Sequence, residues 1–126
     1  MSLVLDASAI LAFLHDEPGA EQVTAVLDGA LVSAVNWAEV LQKALQRGAD
    51  VHGMAAEFRK VGVTFEPFST VQAEIAARLW GKTRHLGLSL ADRACLALAL
   101  DRKLPVITAD RVWSHLDLEV DIQILR

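Results

Sequence analysis

The stretch Val4-Leu5-Asp6-Ala7-Ser8 decides the fold class of this sequence. A short apolar run stops at a carboxylate, and the apolar spacing from Ala9 to Leu14 then becomes helical. Such a run is typical of a buried parallel strand. Because ligands bind beyond the carboxyl ends of the strands in open α/β sheets, we expect Asp6 at a binding edge. Taken alone, however, Asp6 is better explained as the cap of the helix that follows.

Length and composition limit the class of protein. The 126 residues, of which 53% are hydrophobic, predict one domain spanning 1–126 with a proper hydrophobic core. No apolar run is long enough to cross a membrane, and the N-terminus lacks the basic start of a signal peptide. The single cysteine, Cys95, cannot form an internal disulfide. We therefore expect a cytoplasmic protein in which Cys95 is a small core residue.

The charge balance argues against indiscriminate nucleic-acid binding. Twelve basic and sixteen acidic residues give a formal net charge of −4, so bulk charge would repel a polyanion. A nucleic-acid substrate is still compatible with this balance if the acids gather around metal ions.

Strand-like and helical segments alternate along the chain. A first strand is predicted in the apolar run that ends at Asp6, and further strands at 30–34, 63–68, 106–108 and 120–125, with helices between them and a helical turn around Trp113. This alternation predicts an α/β fold with a central parallel sheet of about five strands and helices on both faces.

Polar residues predict where several helices begin. Ser33 is expected to cap a helix that runs to Arg47, and Asp50 to cap the next one, which ends near Lys60. Two later segments have the spacing of capping boxes, in which side chain and backbone cap each other: Ser69 with Gln72, and Ser89 with Asp92.

Helical spacing also predicts which faces are buried. In the helix after Ser33, an apolar stripe should face the core, and a different face is polar; the stripe is Trp37, Val40, Leu41, Ala44 and Leu45, and the polar face is Asn36, Glu39, Lys43 and Gln46. In the helix after Ser69, the predicted apolar flank is Val71, Ile75, Leu79 and Trp80.

Four acids stand at the predicted strand ends and helix starts: Asp6, Glu39, Asp92 and Asp110. Each has a simpler structural explanation. Asp92 could complete the box with Ser89, Glu39 could pair with Lys43 one turn later, and Asp110 could hold a turn.

Together the four acids favour a metal site. Strand ends and helix starts share one edge of a parallel sheet, so these side chains can approach one another. Clustered carboxylates repel unless a cation neutralises them. Hard oxygen ligands without His or Cys suit Mg²⁺ or Mn²⁺, which bind phosphate oxygens and support phosphoryl-transfer chemistry. Ser8 could orient Asp6 in such a site, although a capping role explains it equally well.

Four segments resemble the successive motifs of the PIN-domain ribonucleases, and most closely the VapC-type toxins of bacterial toxin–antitoxin pairs. In chain order they are Val4 to Ala9 (VLDASA), Ser33 to Val40 (SAVNWAEV), Leu88 to Asp92 (LSLAD) and Thr108 to Trp113 (TADRVW). The resemblance covers essentially the whole chain, and the motifs keep the order of the family.

The resemblance implies an endoribonuclease that depends on Mg²⁺ or Mn²⁺, works as a homodimer and is held inactive by a cognate antitoxin. Its catalytic, metal-binding quartet falls on Asp6, Glu39, Asp92 and Asp110, with Ser8 and Thr108 as polar support. A metal-activated water would attack the RNA phosphate and leave 5′-phosphate products. Many members carry a further acid where this chain has Val112 and Trp113, so the number of metal ions, one or two, stays open.

Basic residues near the acids are candidates for binding the RNA phosphates. Lys82, Arg84 and Arg93 are close to Asp92 in sequence, and Arg111 follows Asp110 directly. The same four residues are equally well explained as ordinary solvated charges.

Two other functions are compatible with clustered acids. One is a phosphorelay receiver domain, although its phosphorylatable mid-chain Asp and late Lys have no counterpart here: the mid-chain strand ends in Glu66-Pro67, and the C-terminus offers only Arg126. The other is a non-catalytic module that binds RNA or protein, and retention of all four acids argues against it.

Overall fold

A computed structural model describes residues 2–125. Five strands alternate with six α-helices and two short 3₁₀ helices. The strands are β1 (Val4–Leu5), β2 (Leu31–Ser33), β3 (Thr64–Glu66), β4 (Val106–Thr108) and β5 (Ile122–Ile124). The α-helices are α1 (Ala7–Leu14), α2 (Ala20–Thr24), α3 (Ala34–Gln46), α4 (Met54–Lys60), α5 (Thr70–Thr83) and α6 (Leu90–Arg102), and the 3₁₀ helices are Arg84–Leu86 and Arg111–His115.

The five strands form one parallel sheet in the order β3-β2-β1-β4-β5. Val4 of β1 is level with Leu31 on one side and with Val106 on the other. The chain winds outward from β1 in one direction and then returns to its other side through β4. The strand order therefore reverses between β1 and β4, which is where open α/β sheets bind ligands.

Two hydrophobic clusters cover the two faces of the sheet, which confirms the predicted architecture. Leu5 and Ile107 belong to the cluster with residues of α1–α4, whereas Val4 and Val106 belong to the cluster with α5 and α6. Neighbouring strand residues contribute to opposite clusters because side chains alternate across a strand. Cys95 lies fully buried in α6, as predicted.

Three predicted helix caps are present. The side chains of Ser33, Ser69 and Ser89 accept hydrogen bonds from backbone N–H groups at the starts of α3, α5 and α6. At Ser89 the box is complete, because the Asp92 carboxylate also accepts the Ser89 N–H. At Ser69 the reciprocal half is missing, since the Gln72 amide instead donates to Asp101 across to α6, at 3.3 Å.

The prediction that Asp50 caps the fourth helix is wrong. The cap is Gly53, in the left-handed region at φ 79°, and α4 begins at Met54. The Asp50 carboxylate accepts the backbone N–H of His52 instead, at 2.9 Å. Two successive turn signals compete here, and the glycine nearer the apolar segment sets the start of the helix.

The predicted faces of two helices are partly wrong. In α3, Asn36 is buried and Leu45 is 58% exposed, because α3 packs against α6 as well as against the sheet. In α5, Val71 and Trp80 are exposed, and Gln72 is buried instead. Within residues 2–125, no helix has the length and apolar character needed to span a bilayer.

Candidate active site

Asp6 lies at the point where the strand order reverses and is only 4% exposed. Its carboxylate accepts the Ser8 hydroxyl at 2.8 and 2.9 Å, the Thr108 hydroxyl at 2.6 Å and the Ala9 backbone N–H at 2.9 Å. The Ala9 bond is the N-terminal cap of α1. Asp6 is therefore both the cap that its sequence position suggests and the centre of a network that joins β1 to β4.

Backbone groups after β4 fix the direction of these hydrogen bonds. The Ser8 hydroxyl oxygen accepts the Ala109 N–H at 2.8 Å, and the Thr108 hydroxyl oxygen accepts the Asp110 N–H at 3.0 Å. Because each hydroxyl already accepts a backbone hydrogen, its own proton is directed at Asp6. Both carboxylate oxygens are thus held by donors that the fold supplies.

Burial raises the pKa of Asp6 from 3.8 to about 6. Removal from water is the main cause, and the hydrogen bonds from Thr108, Ala9 and Ser8 oppose it. The negative charge of Asp92 adds a smaller upward contribution. A bound cation would offset both upward effects by stabilising the carboxylate form.

Glu39 is held by a residue that helical spacing places outside the apolar stripe of α3. The side-chain amide of Asn36 donates to Glu39 Oε1 at 3.1 Å and to the Ala91 carbonyl of α6 at 3.0 Å. Asn36 is 1% exposed, and its Oδ1 has no hydrogen-bond partner. Within the described chain Glu39 makes no ion pair with Lys43, so the alternative explanation of Glu39 as the partner of Lys43 has no support.

The charge of Asp92 acts on Asp6 and, together with the charges of Asp6 and Glu39, on the buried thiol of Cys95. Burial raises the pKa of Cys95 well above its usual value, and the charges of Asp6, Asp92 and Glu39 add to the effect. Three of the four predicted acids therefore share one electrostatic environment. Asp92 keeps its capping role as well, because its carboxylate accepts the Ser89 N–H at 2.9 Å.

Asp110 joins the site through the backbone. Its N–H donates to Thr108, and its carboxylate accepts the Val112 N–H at 3.0 Å as the cap of the 3₁₀ helix. The side chain is exposed at the carboxyl edge of the sheet. It is therefore accessible to a ligand beside Asp6.

The donor chemistry of the site fits Mg²⁺ or Mn²⁺, since all four candidate ligands are carboxylates. Among residues 2–125, no three His, Cys, Asp or Glu side chains lie close enough to surround a metal ion by themselves. Magnesium sites in phosphoryl-transfer enzymes seldom need such a cage, because water and substrate phosphates complete the coordination shell. The residues fit an ion that is shared between protein and substrate.

The four basic candidates have different surroundings. Arg93 donates to the Ala76 carbonyl of α5 at 2.9 Å. The Arg84 guanidinium lies over the Trp80 ring, 5.0 Å from its centroid. Lys82 and Arg111 are exposed and make no ion pair within the described residues.

Comparison with known proteins shows the family. The family model of the PIN domain matches residues 3–119. The chain belongs to the PIN domain family. No curated protein matches the sequence closely enough to add to this assignment.

Solved structures from toxin–antitoxin systems are similar to this chain over nearly its full length. VapBC-5 from Mycobacterium tuberculosis matches at 25% identity with a TM-score of 0.64, covering 99% of this chain and 98% of that chain. A toxin–antitoxin complex from Klebsiella pneumoniae matches at 20% identity and 0.71, covering 95% and 99%. VapC20 from Mycobacterium tuberculosis, described as a toxin that cleaves the sarcin–ricin loop, matches at 15% and 0.69, covering 94% and 98%. The resemblance to VapC-type PIN domains is confirmed at the level of the fold.

Asn36 is the residue of this site that sequence reasoning missed. Helical spacing puts it with Glu39 and Lys43 on a polar face, and nothing within α3 indicates that this part of the face is buried against α6. The one available signal was its position three residues before Glu39, which puts the two side chains on the same side of α3.

Proposed function

We propose that this protein is a Mg²⁺- or Mn²⁺-dependent endoribonuclease that acts as the toxin of a toxin–antitoxin pair. The observation that carries the proposal is the buried carboxylate of Asp6, which three donors hold at the strand reversal even though burial raises its pKa to about 6. A cap alone does not need this costly charge, since Ser or Asn would cap α1 equally well. Membership of the PIN domain family supports the same chemistry.

Asp6, Glu39, Asp92 and Asp110 would hold the ion or ions. When bound, such an ion activates a water molecule and offsets negative charge on a phosphate. Ser8 and Thr108 fix both oxygens of Asp6, so this ligand needs no reorganisation during the reaction. The ribose 2′-hydroxyl has no part in the attack, and the products carry 5′-phosphates.

Cleavage of RNA by the purified protein tests the proposal. We expect cleavage with Mg²⁺ or Mn²⁺, none in excess chelator, and 5′-phosphate ends when the products are mapped. Asp110→Asn should lose activity, whereas Asp121→Asn, which removes the same charge from an exposed position, should keep it. Full activity in chelator, or 2′,3′-cyclic phosphate ends, would exclude this mechanism. Metal-independent RNA binding without cleavage would favour a non-catalytic module.

The cognate antitoxin is proposed to cover the acidic edge with a basic side chain. The neighbours in Klebsiella and Mycobacterium come from toxin–antitoxin systems, which supports a partner of this kind. We expect expression of this chain alone to slow growth, and co-expression of the neighbouring reading frame to relieve it. If Asp6→Asn is as toxic as wild type, the toxicity does not come from the nuclease. A homodimer is proposed as the working form, and sedimentation of the purified chain tests it.

The strand order excludes the receiver alternative. Receiver domains have the order 2-1-3-4-5, whereas this sheet has the order 3-2-1-4-5. This chain therefore does not have the fold on which a receiver domain is built.

A further inference from the structure

A cavity of about 390 Å³ lies between α1 and α3, beside the Asp6 network. Ser8 and Ala109, which hydrogen-bond to each other at 2.8 Å, form part of its wall. Because Ser8 also donates to Asp6, the cavity is one side chain away from the proposed catalytic carboxylate. A polymer bound at Asp6 could extend into it.

The wall of the cavity also includes the cations Lys43 and Arg47, both on exposed positions at the end of α3. His15, the C-terminal cap of α1, adds an imidazole, and Glu17 adds one carboxylate. Among residues 2–125, Lys43, Arg47 and Glu17 make no ion pair. Two cations against one anion give this wall a positive balance in a chain whose net charge is −4.

One amide, one acid and two cations follow one side of α3. Asn36, Glu39, Lys43 and Arg47 are spaced by three or four residues, so they succeed one another along the helix. With a rise of about 1.5 Å per residue, Lys43 is roughly 6 Å and Arg47 roughly 12 Å beyond Glu39 along the axis. Asn36 holds Glu39 toward α6, which leaves Lys43 without its neighbouring acid.

Most other cations of the described chain are already engaged. Three form ion pairs: Lys60 with Glu57, Arg78 with Glu74, and Arg102 with Glu66. Two lie over aromatic rings, Arg59 over Phe65 and Arg84 over Trp80. Arg93 donates to a carbonyl of α5.

The remaining cations stand alone or face acids. Lys82 shares its cavity with Asp117 and Glu119, and Lys103 shares another with Glu119 and Asp121. Arg111 lines a smaller cavity in which it is the only charged group. Within residues 2–125, Lys43 and Arg47 are therefore the two cations that share a cavity with the Asp6 network.

We propose that the cavity between α1 and α3 is a phosphate subsite, in which Lys43 and Arg47 bind a backbone phosphate of the RNA strand next to the one that is cleaved. This inference rests on the proposed function and names how the same site takes its substrate. The acids repel a polyanion, so affinity has to come from cations within reach of the scissile phosphate. Lys43 supplies a point charge, and the Arg47 guanidinium suits two phosphate oxygens at once.

Salt-dependent RNA binding tests the subsite. The probe is a short, mixed-sequence single-stranded RNA with a fluorescent label, measured by anisotropy in chelator so that it is not cut. The double variant Lys43→Ala/Arg47→Ala should bind more weakly, and its slope of log K against log salt should be shallower by about 0.7 for each phosphate that the protein no longer neutralises. The control Lys60→Ala/Arg78→Ala removes the same two charges from exposed ion pairs elsewhere. It should keep the slope of wild type.

Three further measurements separate the outcomes. Lys43→Arg/Arg47→Lys should restore the slope, and in the presence of metal the double Ala variant should raise KM more than it lowers kcat. An unchanged slope in that variant, or an equal decrease in the control, overturns the subsite. If wild type binds RNA with the expected slope yet never cleaves it, the proposed nuclease fails and the phosphate subsite stands.

Discussion

The Asp6 region and the Glu39–Asp92 region contribute to one site but are held very differently. Three donors hold Asp6, and backbone N–H groups orient the two hydroxyls among them. Glu39 has a single bond from Asn36, whose Oδ1 is buried without a partner. Asp92 is bound only to the backbone of its own capping box. One half of the site is fully hydrogen-bonded, and the other keeps free acceptor oxygens.

This difference indicates a division of labour. Because the acceptors of Asp6 are satisfied by the fold, its position is set before any ligand arrives. Glu39 and Asp92 retain unused acceptor oxygens, and these are what an ion with its waters requires. The Asp6 region therefore holds one ligand in a fixed position, and the Glu39–Asp92 region supplies free oxygens that can bind the ion and its waters.

Asp6→Asn should lower the cleavage rate by about a hundredfold or more while the protein stays folded. The amide still caps α1 through its oxygen, but it brings no charge to an ion and cannot accept from both hydroxyls. Losses of this size are typical when a preorganised electrostatic interaction is removed. Single-turnover kinetics and a melting curve in chelator measure the two effects. If the variant melts like wild type and cleaves at the wild-type rate, Asp6 is a cap only.

The pH dependence of stability should show the burial of Asp6. Its folded pKa, about 6, lies above the ordinary value of 3.8, so the native state binds the proton more tightly than the unfolded state does. The contribution of Asp6 to the free energy of unfolding therefore falls as pH rises from about 4 to about 6. It levels off above that window, after a total change of roughly 3 kcal/mol at most. Measurements in chelator isolate this effect from metal binding.

Asp6→Asn is the control for the pH prediction. Other carboxylates titrate in the same range, so the quantity to compare is the difference in unfolding free energy between wild type and variant. Between about pH 4 and pH 6, the unfolding free energy of the variant should rise relative to that of wild type, and the difference should persist at neutral pH. A difference that is constant with pH would mean that Asp6 is not destabilised by burial.

The sequence predicted the fold and the position of Asp6 because both depend on local signals. The change from strand to helix at Asp6, and the serine caps at Ser33 and Ser89, each lie within a few residues of the chain. Packing between distant helices leaves no such signal. The burial of Asn36 depends on α6, whose Ala91 is 55 residues further along the chain. The cavity that joins Ser8 to Lys43 is likewise formed only when α1 packs beside α3.

Two buried amides provide a matched test of the Glu39 side. Asn36 and Gln72 each have one oxygen without a partner, but only Asn36 bonds to a proposed ligand. Asn36→Leu should weaken Mn²⁺ binding and cleavage by about tenfold, the lower end of the range for residues that support a metal ligand. Gln72→Met should alter stability alone, since Gln72 bonds to Asp101. Calorimetric titration with Mn²⁺ measures the affinity.

The outcome of that pair separates positioning from packing. Both variants remove a buried amide, so a general loss of stability would affect metal binding in both. If Gln72→Met loses as much Mn²⁺ affinity as Asn36→Leu, the effect comes from packing. Asn36→Asp provides a further check, because a carboxylate next to Glu39 would repel it and should not restore binding.

The smallest expected effect concerns Asp92, which serves the capping box and the site at the same time. Asp92→Asn keeps an oxygen to accept the Ser89 N–H, so the box survives, and only the favourable charge at the start of α6 is removed. We expect the free energy of unfolding in chelator to fall by about 0.5 kcal/mol. The pKa of Asp6 should move down toward its ordinary value, because the Asp92 charge is one of the causes that raise it. Carboxyl chemical shifts followed by NMR across the titration measure that pKa.

Asp110→Asn is the matched control. Asp110 is not among the causes of the Asp6 shift, so this variant should leave the pKa of Asp6 unchanged. If stability falls but the pKa of Asp6 does not change, Asp92 is a cap only. Solvent then screens its charge from Asp6.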